Sequence, residues 1–309
     1  MDIAVIGSNM VDLITYTDRM PNAGETLEAP EFEIGCGGKG ANQAVAAAKL
    51  GASVMMVTCV GDDLFADNTL RNLQQAGVDT RYVKKVTGVS SGVAPIFVDS
   101  ASQNRILIVK GANNYLLPAD IERAAPALQA CRLMILQLEI PLETVYAAID
   151  FARRHRIAVI LNPAPASRDL DIAYACQCDF FMPNETELEI LTGMPVDSEE
   201  NILRAGRTLL AKGLRNLIIT LGQRGALWMT GDRVEHVAPL QVKALDTSGA
   251  GDAFIGCFAH EYVRHGDVPQ AMRQASAYAA YSVTGKGTQR SYPDASQFFD
   301  FITATRQGK

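Results

Sequence analysis

Six short aliphatic runs punctuate this chain: Ile3–Ile6, Val54–Val60, Leu133–Leu138, Ala158–Leu161, Phe180–Met182 and Leu217–Leu221, with helix-like segments between them almost from end to end. Each run is apolar at odd and even positions alike, so both faces of the strand it forms must be covered. Such runs, spaced by segments of helical period, build a mainly parallel sheet with helices on either side. The expected fold is a doubly wound α/β protein, a three-layer α/β/α sandwich. With 309 residues, 48% of them hydrophobic, the chain suffices for one such domain over 1–309. No internal repeat, low-complexity tract or long linker marks a second.

Two stretches break the pattern. Thr26–Ile34 alternates polar with apolar residues and carries Pro30, as an edge or half-exposed strand would. Ser91–Val98 and Arg105–Val109 read as a β-hairpin joined by residues 99–104. Two insertions, at about 12–35 and 90–112, thus build a small β-sheet. Its expected place is over the carboxyl ends of the main strands, where α/β sheets bind ligands and where a lid would sit.

Charge and cysteine usage exclude several function classes. A net charge of −6 without a basic cluster argues against a polyanionic partner such as nucleic acid. Met1–Gly7 has no basic n-region and reads as the first buried strand, and no apolar run reaches membrane-spanning length. The six cysteines lack paired metal-ligand spacing, and Cys176-x-Cys178 reads as two core thiols, which points to a reduced, soluble, cytoplasmic protein. His155, His236, His260 and His265 are dispersed, so a metal hydrolase has no ligand set.

Chemistry concentrates in three places. Asp246-Thr247-Ser248-Gly249-Ala250-Gly251-Asp252 is a small-residue turn, then a carboxylate, then a helix. Its backbone N–H groups, at the positive end of a helix dipole, suit a phosphate oxygen. A static phosphate would repel Asp252, so the carboxylate suggests a base that deprotonates an attacking hydroxyl; the alternative is an N-cap among turn glycines. Next, Gly35, Gly37 and Gly40 formally satisfy G-x-G-x-x-G, with Asp62 or Asp63 roughly twenty residues on. The preceding strand is acidic, alternating and interrupted by Pro30, which is wrong for a dinucleotide fold, and a nicotinamide oxidoreductase rests on that match alone. The loop reads instead as backbone that closely approaches a small polyol, with Lys39 and Asn42 as donors, or as a plain turn into the helix Ala44–Leu50. Finally, Asp12, Glu139, Asn162, Asn184, Glu185 and Glu187 fall where apolar strands end. Taken singly each could be a cap or turn residue, which is the preferred reading for Glu185; together they supply carboxylates and amides for sugar hydroxyls and a hydrated metal. Thr220–Gly225 reads as a hairpin turn along which a triphosphate or ribose could lie.

These features together resemble the ribokinase branch of the ribokinase-like (PfkB-type) carbohydrate kinase family, nearly from end to end. Gly37-Gly38-Lys39-Gly40-Ala41-Asn42 is similar to its N-terminal signature, residues 246–252 to its C-terminal one, and Asn184-Glu185-Thr186-Glu187 to its metal-and-nucleotide motif. The resemblance implies ATP-dependent phosphorylation of a sugar's terminal hydroxyl and homodimers formed through β lids. It implies Asp252 as general base, with the amides of Gly249, Ala250 and Gly251 as anion hole. It places Met10, Asp12, Gly38, Lys39, Asn42 and Glu139 on the sugar, and Asn184, Thr220, Gly222, Gly225 and Ser276 along ATP. Glu187 would organise Mg²⁺ through water, and Asp246, Ser248, Ser282, Gly285, Gly287 and Ser291 would hold an activating K⁺.

One position departs from the family. Where ribokinases carry an asparagine, this chain has Met10, a thioether with almost no hydrogen-bonding capacity. The substitution resembles the deoxyribokinases and implies 2-deoxy-D-ribose as substrate, with ribose weaker. The alternatives are an ordinary ribokinase in which Met10 only packs under the lid, a nucleoside kinase of the same fold, and a sugar sensor that has lost catalysis.

Overall fold

The computed structural model describes residues 1–100 and 104–307. Among these the strands, in chain order, are β1 (Ile3–Ile6), β2 (Met10–Tyr16), β3 (Glu31–Gly37), β4 (Val54–Val60), β5 (Asp79–Lys85), β6 (Val93–Val98), β7 (Asn104–Ile106), β8 (Leu133–Leu136), β9 (Ala158–Leu161), β10 (Phe180–Phe181), β11 (Leu217–Thr220), β12 (Ala226–Met229) and β13 (Val234–Val237). The large sheet has the order β13-β12-β11-β10-β9-β8-β1-β4-β5. It is parallel from β5 to β11 and ends in the antiparallel pairs β11–β12 and β12–β13. The apolar runs explain it: Ala4 and Ile6 face one helical layer, Ile3 and Val5 the other, and all four are fully buried. No helix among the described residues is long and apolar enough to cross a membrane.

The smaller sheet has the order β3-β2-β6-β7, with β2 antiparallel to β3 and parallel to β6. Several boundaries differ from expectation. The polar strand starts after Pro30 and runs through the glycines to Gly37, where Gly35 pairs with Asp12 and Gly37 with Met10. Proline cannot donate to a ladder, whereas glycine leaves room for the neighbour's side chain: a Cβ on Gly37 would lie 2.4 Å from the Asp12 carboxylate. The following helix, Lys39–Lys49, accordingly begins five residues earlier than Ala44. In the hairpin, β7 ends at Ile106 and Val109 returns only as an isolated bridge to Val93. Residues 101–103 of the expected connection lie outside the described residues.

Candidate active site

The helix Ala250–His265 starts from Gly249 at φ 72°, and Asp252 sits in its first turn. Gly249 is therefore the N-cap, and the capping role for Asp252 is excluded. The Asp252 carboxylate, 7% exposed, accepts hydrogen bonds across a helix interface, Oδ2 from Asn42 Nδ2 at 2.9 Å and Oδ1 from Gln43 Nε2 at 2.8 Å. The two helices meet this closely because of Gly256, where a Cβ would lie 2.5 Å from that of Ala46 and 2.7 Å from the Gln43 carbonyl oxygen. A small-residue helix interface thus delivers two amides to one carboxylate.

Gly249 and Gly251 differ in what surrounds them. A Cβ on Gly249 would meet Thr288 Cγ2 at 2.2 Å and the Tyr292 hydroxyl at 2.6 Å, and that hydroxyl donates to the Gly249 carbonyl at 2.8 Å. A Cβ on Gly251 meets nothing within 4 Å. The backbone is pinned on one side of the turn and open on the other. The open side is an inner chamber of about 160 Å³ whose wall includes Lys39, Glu187 and Asp252. Asn184, Thr220, Thr247, Ala250 and Gly251 also border a longer cleft of about 470 Å³ that passes Gly222 and Gly225 and reaches Ser276. The Ser276 hydroxyl is buried in that cleft wall without a hydrogen-bond partner. A ligand with polar atoms would satisfy it.

Close enough to Asp252 for the two carboxylates to repel, Asp12 shares one face of β2 with Met10, the two being 8% and 2% exposed. Gly38, at φ 85°, lets the turn pass under β2, since a Cβ there would lie 2.7 Å from the backbone of Asn9 and Met10. Glu139 accepts from the Ser8 hydroxyl and, at 3.0 Å, from the Lys39 backbone N–H. Burial pushes the Asp12 carboxyl up to about 7, with the nearby carboxylates Glu139 and Asp252 adding to it. Lys39 moves up as well: burial disfavours its ammonium, but Asp252, Glu139 and Glu187 more than offset that.

Asn184 and Glu187 form a capping box on the helix Glu185–Thr192: Asn184 Oδ1 accepts from the Glu187 N–H and Glu187 Oε2 from the Asn184 N–H, both at 2.8 Å. Burial raises the Glu187 carboxyl, opposed by the Asn184 N–H and by Lys39. Glu185, the first helical residue, pairs with Arg224 beside the cleft. No group of three His, Cys, Asp or Glu side chains that could cage a metal occurs among the described residues. Behind the Asp252 turn, Asp246 bridges two loops, Oδ1 accepting from the Ser248 N–H and Oδ2 from the Gly287 N–H, each at 2.9 Å. Leu245 N donates to Val283 O at 2.7 Å, and a Cβ on Gly285 would come within 3.1 Å of Ser291 Cβ. Asp246, Ser248, Gly285, Gly287 and Ser291 are thereby gathered; Ser282 adjoins them, its hydroxyl donating to Ala279 O.

Several partners of these residues went unnoticed in the sequence. Ser8 holds Glu139, Tyr292 holds Gly249, Gln289 donates to Asn42 Oδ1 at 2.9 Å, and Gln43 and Gln137 stand behind Asp252. Two of them carried a signal. Gln43 is a polar residue in an alanine-rich helix, and Gln137 interrupts an aliphatic run, ending β8 at Leu136 rather than Leu138.

Comparison with known proteins gives the chain's family and fold relatives. Residues 1–295 match the model described as pfkB family carbohydrate kinase. The chain is 66% identical over 303 residues to the deoxyribokinase of Salmonella typhi, covering 98% of this chain and 99% of that protein. It is 39% identical to mouse ribokinase, covering 94% and 91%. Among solved structures, Thermotoga maritima ribokinase superposes with a TM-score of 0.88 at 34% identity, covering 98% of this chain and 99% of that one. Arabidopsis thaliana ribokinase, solved with ribose and ATP, superposes with 0.90 at 29% identity, covering 97% and 98%.

Proposed function

Because this chain belongs to the pfkB family of carbohydrate kinases, we propose that it transfers the γ-phosphoryl group of ATP to the 5-hydroxyl of a pentose, with 2-deoxy-D-ribose preferred to ribose. One observation carries the reading: Asp252 lines the chamber that Lys39, Glu187 and the backbone of Gly249, Ala250 and Gly251 also border, and its carboxylate is bound by Asn42. The sugar lies against Asp12, Gly38, Lys39, Asn42 and Glu139, and ATP along Asn184, Thr220, Gly222 and Gly225 toward Ser276. Asp252 accepts the 5-hydroxyl proton as that oxygen attacks the γ-phosphorus and the bond to ADP breaks. Lys39 and the backbone N–H groups of Gly249, Ala250 and Gly251 face the charge that develops on the transferring group. Glu187 and Asn184 would hold a Mg²⁺ ion through its waters, and the ion would supply charge neutralisation for the phosphates. The loops around Asp246 would hold K⁺, which would supply positive charge behind the Gly249 turn. The small sheet acts as the lid, in a cytoplasmic enzyme whose six cysteines are unpaired.

The sugar preference rests on Met10, and on the deoxyribokinase similarity. A ribose 2-hydroxyl buried against a thioether loses a partner, costing about 1–3 kcal/mol. An apolar pocket rejects an added hydroxyl by only about a hundredfold, so ribose is a weaker substrate and not an excluded one. An ADP-release screen over pentoses, deoxypentoses, hexoses and nucleosides, with and without K⁺, is expected to give the highest kcat/KM for deoxyribose and stimulation by K⁺. Met10→Asn is expected to move the deoxyribose-to-ribose ratio of kcat/KM toward ribose by about tenfold; an unmoved ratio would refute the assignment.

Asp12 makes sugar capture pH-dependent. Ionised, it accepts sugar hydroxyl hydrogens on both oxygens, whereas the protonated carboxyl has one weaker acceptor and a donor; burial pushes that ionisation up to about 7 in the free protein. The value of kcat/KM for the sugar is therefore expected to rise as pH increases through about 7, and Asp12→Asn to flatten that limb while lowering the plateau. A wild-type profile flat from pH 6 to 8 would contradict this.

Homodimer formation through the lids is supported by Phe32 and Ile34, which share the face of β3 opposite to Gly35 and Gly37 and are 57% and 44% exposed. In sedimentation velocity the protein is expected to run as a dimer, and Phe32→Asp as a monomer.

A further inference from the structure

Behind Asp252 lies a line of buried amides that the proposed chemistry does not use. Gln43 and Gln137 are both 0% exposed. Gln137 Nε2 donates to Gln43 Oε1 at 2.7 Å; Gln43 Nε2 donates to Asp252 Oδ1 at 2.8 Å and to Asn162 Oδ1 at 3.2 Å; Asn162 Nδ2 donates to Met182 O at 2.9 Å. The line has a direction. A free glutamine beside a carboxylate can turn its amide either way, but here the donor from Gln137 occupies the Gln43 oxygen and so obliges the Gln43 NH₂ to face Asp252. Gln137 in turn has little freedom, because its Oε1 lies against Gly7, where a Cβ would come within 1.9 Å. That oxygen has no hydrogen-bond partner, so the arrangement costs the fold an unsatisfied acceptor and needs a compensating reason.

The two oxygens of Asp252 are each held by an amide that is engaged at both ends, and they differ in place. Oδ1 is bound by Gln43, 0% exposed, whose own oxygen accepts from Gln137; Oδ2 is bound by Asn42, one of the residues assigned to the sugar, whose own oxygen accepts from Gln289. Resting on the reading of Asp252 as base, we propose that Gln43 is a positioning residue, oriented by Gln137, that retains Oδ1 throughout the reaction cycle. Oδ2 is then the oxygen that exchanges partners: the Asn42 amide covers it in the empty enzyme, and the sugar 5-hydroxyl replaces that amide and gives up its proton there. Neither glutamine touches substrate.

The test is single-turnover phosphoryl transfer at saturating deoxyribose and MgATP, with sugar affinity by calorimetry and melting temperature, for Gln43→Met, Gln137→Met and the double variant. Gln43→Met, similar in length and without a donor, is expected to slow transfer about ten- to hundredfold, the worth of one hydrogen bond to a charged group, while the sugar dissociation constant stays within about threefold. Gln137→Met is expected to slow transfer less. The double variant should be no slower than Gln43→Met, because Gln137 acts only through Gln43. Normal transfer in Gln43→Met, a loss of rate matched by a loss of sugar affinity, or additive losses in the double variant would each overturn the proposal. If Gln43→Met does not fold, Gln137→Met decides alone, and an unchanged transfer rate overturns it. Asp252→Asn in the same assay separates the two levels. Transfer by that variant at the wild-type rate would remove the base itself, whereas an inactive Asp252→Asn beside a normal Gln43→Met would remove only the positioning role.

Discussion

Asp252→Asn is expected to lower kcat by about 10²–10⁴-fold, the usual worth of a positioned general base, while the enzyme still binds sugar and MgATP. The change is nearly isosteric and keeps one acceptor for the donors of Asn42 and Gln43, which converge on the carboxylate at 2.9 and 2.8 Å. The fold should survive it, and calorimetric titration of both substrates checks that it has. Near-normal turnover with intact binding would mean that the 5-hydroxyl loses its proton elsewhere, and the assignment of the whole chamber would have to be rebuilt.

Gly249→Ala is the second large effect. A Cβ at φ 72° costs about 1–2 kcal/mol on its own. Here it would also lie 2.2 Å from Thr288 and 2.6 Å from the Tyr292 hydroxyl, so either the turn or the helix Thr288–Ser291 must shift. Donors misplaced by such a shift cost about 10²–10³ in kcat each. The melting temperature and kcat are both expected to fall. Gly251→Ala provides the contrast: its new methyl meets no protein atom within 4 Å and enters the space assigned to the transferring phosphoryl group. It should leave the melting temperature unchanged and lower kcat/KM for ATP. If Gly251→Ala were kinetically silent, the phosphoryl group would not lie against that backbone.

Much of this molecule can be read along the chain because the signals are local. Strands buried on both faces are apolar nearly throughout, so six of the nine strands of the large sheet announce themselves as runs, while β5 and β13 at its edges, half-exposed and polar, and β12 do not. The kinase signatures are contiguous, since a turn that presents backbone N–H groups has to be built from neighbouring small residues. Even Asn184 and Glu187 stand three residues apart because both belong to one helix start. The apparent dinucleotide motif was rejected on context, and the structure gives the reason: Gly35 and Gly37 lie inside β3 of the small sheet, where they leave room for Asp12.

Sequence alone determined the fold class, the family and the kinds of group available to the chemistry, because each depends on residues close together in the chain. Tertiary structure decided which of them meet. Asn42 and Gln43 reach Asp252 across 210 and 209 positions of sequence, and only because Gly256 lets two helices touch. It also decided that Asp252 is not a cap, that Asp12 ionises at about 7, and that Gln137 lies behind the base. Ionisation depends on burial and on facing charges, and an amide's direction depends on its partner. Both are set by neighbours in space, which the order of residues does not record.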